Sequence, residues 1–64
     1  MKKKDIKILL VDDEQDILEI VGYNLAQEGY QIVTAVNGRE AVSKAKKEMP
    51  HLIIIDVMMP ELDG

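Results

Sequence analysis

Three aspartates hold the chemistry that this 64-residue sequence could perform. Asp12 and Asp13 follow the apolar run "ILLV", and Asp56 follows the similar run "LIII". If both runs are adjacent strands of one parallel sheet, the three carboxylates converge at one end of it. Two like charges about 4 Å apart repel by roughly 4 kcal/mol at an effective dielectric near 20. Such a cluster therefore requires either a protonated member or a cation among the carboxylates. Mg²⁺ suits the donor type, because it takes oxygen ligands and keeps waters that a phosphate can replace. The residues thus point to Mg²⁺-assisted phosphate chemistry. Plainer roles compete for each residue alone, since Asp13 could cap a helix and Asp56 could simply end a strand. Their placement at matching ends of two strands favours a shared site.

Five short elements would position these residues. Ile6 to Val11 reads as a strand, being short, aliphatic and followed by acids. From Glu14 to Glu28 the pattern changes: Ile17, Ile20, Val21 and Leu25 fall at helical spacing on one face. Asp13 is the expected N-cap, Asp16 complements the helix dipole, and Gly29 suits the left-handed position that ends a helix. Tyr30 to Val36 is β-branched and reads as a second strand. Asn37-Gly38 is a turn signal that could open a hairpin, but no strand pattern follows it. Ala41, Val42, Ala45 and Met49 instead space as a helical stripe, with Glu40, Lys44, Lys46, Lys47 and Glu48 mostly toward solvent. Pro50 stops that helix. "HLIIIDV" is a third strand, and "MMPELDG" a loop.

The order β-α-β-α-β implies an α/β fold with a parallel sheet. Continuous apolar strands imply burial on both faces. With right-handed crossovers, the strand order 2-1-3 places one helix on each face, whereas 1-2-3 would leave one face bare. The order 2-1-3 begins a doubly wound, flavodoxin-like sheet, whose ligands bind beyond the carboxyl ends of the strands where the order reverses. That point lies between strands 1 and 3, beside Asp12, Asp13 and Asp56.

Composition sets the outer limits. One small domain is the most that 64 residues allow, and such a chain buries only about 60% of its unfolded surface. There is no cysteine, so disulfides contribute nothing and a reducing compartment is compatible. A hydrophobic content of 47% and a net charge of −4 exclude a disordered profile. The basic start "MKKKDIK" leads into too short an apolar run for a signal peptide, and no segment has the length of a membrane span. The expected location is cytoplasmic. The acidic balance argues against nucleic acid as a partner, and Lys2 to Lys4 read as a solvated terminus.

The segments "ILLVDDEQDI", "EGYQIVTAVNGREAV" and "PHLIIIDVMMPELDG" together resemble the first half of a bacterial response-regulator receiver domain. The resemblance runs from Ile6 to Gly64, so residues 1–64 are read as one domain, the first half of a receiver. It implies that Asp56 is the phosphoacceptor, taking a phosphoryl group from a phosphohistidine of a sensor histidine kinase. It implies that Asp13 ligates Mg²⁺ directly, that Asp12 acts through water, and that Met58 offers its backbone carbonyl to the metal. The side chains of Met58 and Met59 are expected to pack. His51 is expected to be a solvated residue leading into the third strand, and Gly64 to serve a turn.

Receivers of this family run to roughly twice this length. Their Ser/Thr after a fourth strand and Lys after a fifth have no counterpart position here, and Lys44, Lys46 and Lys47 are no substitutes. Phosphorylation is therefore expected to be weak. The third strand would expose an apolar edge, a template for another chain. Self-association follows as an expectation, two copies joining through their third strands across a two-fold axis. Two other readings stand beside the signalling one. The chain could be a self-associating structural half-domain, or a Mg²⁺-dependent phosphatase-like enzyme. The last is the weakest, because no "DxD" nucleophile motif and no second catalytic group follow Asp56.

Overall fold

A computed structural model describes residues 2–55 of the chain. A short 3₁₀ turn, Lys3–Asp5, leads into β1 (Lys7–Val11). Then come α1 (Gln15–Gln27), β2 (Gln31–Ala35), α2 (Gly38–Glu48) and β3 (Leu52–Ile55). The sheet is parallel throughout with the order β2-β1-β3, so the 2-1-3 expectation holds. Lys7 to Val11 pair with Gln31 to Ala35 on one side, and Ile8 to Val11 pair with Leu52 to Ile55 on the other.

The central strand explains why the fold closes at all. Successive side chains of a strand point to opposite faces. Ile8 and Leu10 therefore pack with Leu18, Leu25 and Ile32 on the α1 face. Leu9 and Val11 pack with Val33, Ala35, Ala41 and Ala45 on the α2 face. Leu9 is 0% exposed and is the deepest large side chain of the described residues. The apolar run "ILLV" is thus buried on both faces, as read from the sequence. The run "LIII" is not: Leu52 to Ile55 are each 40–51% exposed along the edge of the sheet.

Helix α1 corrects the expected apolar stripe. Leu18 and Gly22 are its buried residues, with Leu25 packed beside them, while Ile20 is 61% exposed and Ile17 and Val21 are also exposed. The facing positions are i, i+4 and i+7, and a glycine holds the middle one. A Cβ there would lie 3.5 Å from Ile32 Cγ2 and 3.6 Å from Leu10 Cδ1, ordinary contact distances, so Gly22 lies directly against the sheet at a position that would also take an alanine. A stripe read from large apolar residues alone skips that position. The C-terminus of α1 is as expected. Gly29 has φ +110°, Gly29 N–H donates to the Ala26 carbonyl, and Tyr30 N–H donates to the Leu25 carbonyl.

Helix α2 settles the Asn37-Gly38 signal as a helix start and not a hairpin. Asn37 is extended and its Oδ1 accepts from Glu40 N–H at 2.8 Å, while Glu40 Oε1 accepts from Val36 N–H at 3.2 Å. Ala41 and Ala45 face the sheet, but Val42 and Met49 are exposed, so only half the expected stripe packs. Met49 lies outside the helix as its C-cap, in the left-handed region at φ 50°, ψ 60°. Lys44 also departs from its solvent-facing expectation. It is half-buried, and its Nζ donates to the Thr34 carbonyl.

Candidate functional site

The site is the carboxyl end of β1 and β3. Val11 ends β1 and Ile55 ends β3, and the register places these two residues opposite one another. The residue that follows Val11 in sequence is Asp12, and the one that follows Ile55 is Asp56. Asp56 and Met58, the expected phosphoacceptor and carbonyl ligand, lie outside the described residues. So do Met59 and Gly64.

Asp12 is fixed by the turn from β1 into α1. Its backbone N–H donates to the Ala35 carbonyl at 3.1 Å, which continues the β1–β2 ladder by one bond. Its Oδ1 accepts from Glu14 N–H at 2.8 Å, an aspartate closing a turn on the backbone two residues ahead. Asp12 is 6% exposed, the one buried charged side chain among the described residues. The burial of a carboxylate is costly without compensation. The Glu14 N–H supplies one hydrogen bond, and the second oxygen remains available to a cation or water.

Asp13 does not cap α1. The N-cap is Glu14, extended at φ −100°, and its side chain makes no capping hydrogen bond. Asp12 anchors the turn instead, and Asp13 is left exposed, with no hydrogen bond to a described side chain or backbone group. Carboxylate oxygens of Asp12, Asp13 and Glu14 lie within 4.8 Å of one another. This set of hard oxygen donors fits a small divalent cation such as Mg²⁺. Glu14 was missed from the sequence because it reads as the first helical residue, although the unbroken acidic run "DDE" was the available signal.

An open cleft of about 400 Å³ adjoins the acids on the α2 face, lined by Val11, Val36, Ala41, Val42 and Ile55 with Asp12 and Asp13 at its polar end. A second cleft of about 310 Å³ lies on the α1 face between Ile54 and the exposed Ile17 and Val21, and it too reaches Asp12. The acids thus stand at the end of the sheet between two apolar recesses that flank β3.

His51 sits at the other end of the sheet, exposed as expected, yet it has a structural task. Its backbone N–H donates to the Lys7 carbonyl at 2.8 Å, and Lys7 N–H donates to its Nδ1 at 3.0 Å. One residue therefore satisfies both outward groups of Lys7 and starts the β1–β3 ladder. Lys7 Nζ in turn bonds Glu48 Oε1 at 3.0 Å, tying the end of α2 to the same corner.

Comparison with known proteins agrees with this geometry. The response regulator receiver domain family matches residues 8–64. The chain is 53% identical over 58 residues to the alkaline phosphatase synthesis transcriptional regulatory protein PhoP of Bacillus subtilis, covering 91% of this chain and 24% of that protein. It is 48% identical over 64 residues to the probable transcriptional regulator ycf27 of Pyropia yezoensis, covering 100% of this chain and 26% of that protein. The chain thus spans about a quarter of the length of these relatives. The solved structure of the chemotaxis response regulator CheY4 of Vibrio cholerae superposes with a TM-score of 0.79 at 45% identity. That match covers 86% of this chain and 46% of CheY4. A parallel 2-1-3 sheet with acids closing its central strand, matched over nearly its whole length by one family, identifies the chain as belonging to the response regulator receiver domain family of two-component signalling.

Proposed function

We propose that this chain is a phosphoacceptor module whose Asp56 takes a phosphoryl group from the phosphohistidine of a sensor histidine kinase. The observation that carries the reading is the buried Asp12 beside Asp13, at the end of a strand in register with the one that precedes Asp56. In the transfer, a carboxylate oxygen of Asp56 attacks phosphorus, the P–N bond breaks, and the imidazole leaves. The product is an aspartyl phosphate, a hydrolysable covalent signal. Asp13 as a direct ligand, Asp12 through water, Asp56, and the Met58 carbonyl are the proposed Mg²⁺ set. Bound there, Mg²⁺ would neutralise charge on the phosphoryl oxygens, which is most of what phosphoryl transfer asks of a protein.

The proposed setting is the cytoplasm. No described helix is long and apolar enough to cross a membrane. A structural half-domain without signalling activity is the alternative. Self-association through the outer edge of β3 belongs to the same proposal, favoured by the half-exposed aliphatic residues along that strand.

Incubation with acetyl phosphate tests the reading. In Mg²⁺ the chain is expected to gain the mass of one phosphoryl group slowly, and to gain none when the metal is chelated. No adduct under conditions that label a full receiver would leave the structural reading. Phosphate release faster than the decay of an aspartyl phosphate would instead indicate a phosphatase.

A further inference from the structure

Asn37-Gly38 opens α2, and the pair sets an amide side chain beside an unshielded backbone nitrogen. Both residues are exposed. A Cβ built on Gly38 would meet nothing within 4 Å, so no neighbouring side chain screens the peptide nitrogen between them. Gly38 N–H is one of the first of the helix, which lack a partner within it. No described group accepts a hydrogen bond from it. The side chain of Asn37, in contrast, is latched. Its Oδ1 accepts from Glu40 N–H at 2.8 Å, and Glu40 Oε1 accepts from Val36 N–H at 3.2 Å. Asn24, the other asparagine of the sequence, is also exposed but lies inside α1. There the next N–H belongs to the helical ladder, and the next side chain is the packed Leu25.

We infer that Asn37 is a self-modification site, deamidated through attack by the Gly38 nitrogen at a rate set by the cap of α2. The inference does not depend on Asp56 being a phosphoacceptor. Asparagine is among the thermolabile residues. In the step, Gly38 N gives its proton to solvent base and bonds to Asn37 Cγ. The Cγ–Nδ2 bond breaks, and the nitrogen takes a proton from water and leaves as ammonia. Water then opens the cyclic imide at either of its carbonyls, giving aspartate or isoaspartate. Water is the only co-reactant. Glycine lets the backbone reach the ring geometry, because it has no Cβ to crowd the imide. The cap has to open first, since Oδ1 bonded to Glu40 N–H holds the side chain away from that geometry. The products differ in what they do to the helix. Aspartate caps as well as asparagine, and its charge suits the N-terminus of α2. Isoaspartate lengthens the backbone by one methylene and draws the cap away from Glu40 N–H. Either product adds one negative charge to the net charge of −4. Asn37 and Gly38 border the cleft whose polar end is Asp12 and Asp13, so a neutral part of that cleft becomes acidic.

Incubation of the whole chain in mildly alkaline buffer, followed by intact mass and peptide mapping, tests this. The wild type is expected to gain the mass of an amide-to-acid exchange, at Asn37 and not at Asn24, with isoaspartate in the mapped peptide. In guanidinium chloride, where the cap is lost, the exchange is expected to run several-fold faster. Gly38→Ala has open space for its methyl group and is expected to slow the exchange several-fold, both in buffer and in denaturant. The comparison in denaturant serves if circular dichroism shows that variant misfolded in buffer. A wild-type chain that keeps its mass, an exchange mapped to Asn24, or equal rates with and without denaturant would overturn the inference. So would a Gly38→Ala chain that reacts as fast as the wild type in denaturant.

Discussion

Asp12 illustrates how one side chain can serve the fold and the site together. Its buried carboxylate closes the turn onto Glu14 N–H, and the same turn holds Asp13 and Glu14 within reach of a shared cation. The acidic pair was legible because both acids directly follow an apolar strand. Their division of labour was not, because a helix N-cap and a turn that precedes one use the same residue types. His51 was legible only as an exposed residue. That its Nδ1 completes the start of β3 depends on a pairing 44 residues distant in the chain. Met49 offers a test at this scale. It is 77% exposed and held in the left-handed region, which costs a non-glycine residue roughly 1–2 kcal/mol. Glycine removes that strain but gives back about 0.5–1 kcal/mol through the freedom of the unfolded chain. Met49→Gly is expected to raise stability by about 0.5–1 kcal/mol in a urea titration, and a fall would show that the exposed side chain packs in solution.

At the scale of elements, the strands and the ends of the helices follow from local chemistry, whereas the buried faces of the helices do not. The Gly29 terminus and the Asn37 cap are set by residues within one turn of each other. The face of α1 is set by the sheet, which selects Leu18, Gly22 and Leu25 over the larger Ile17 and Ile20. Helix α2 is also tied down electrostatically. The hydrogen bond from Lys7, and then its charge, hold the Glu48 carboxyl below its ordinary value of 4.5. A depressed carboxylate contributes stability above the unfolded value, and that contribution is lost as the pH falls through the folded value. Glu28, paired with Lys3, behaves in the same way. Between about pH 6 and pH 3 the wild-type chain is therefore expected to lose more stability than Glu48→Gln, with the Glu28 contribution common to both. Urea titrations at the two pH values check this, and equal losses would show that the Lys7–Glu48 pair does not form in solution.

For the whole molecule, the fold class and strand order were readable because only 2-1-3 covers both faces of β1. The burial of Ile8 and Leu10 on one face of β1 and of Leu9 and Val11 on the other confirms that logic. The same logic applied to β3 overstated its burial, because its aliphatic residues look alike in sequence whether or not something covers them. Similarity to a quarter of PhoP and of ycf27, and to 46% of CheY4, is consistent with a strand whose neighbours lie in the parts of those proteins that this chain does not match. What this chain does retain is the acidic end of the sheet, and the account stands on that end being a phosphoacceptor site. The most direct measurement is the intact mass of wild type and Asp56→Asn after acetyl phosphate and Mg²⁺, with circular dichroism to show that both are folded. The account predicts one phosphoryl adduct on the wild type and none on Asp56→Asn. An adduct retained by Asp56→Asn, or none on a folded wild-type chain, would contradict it.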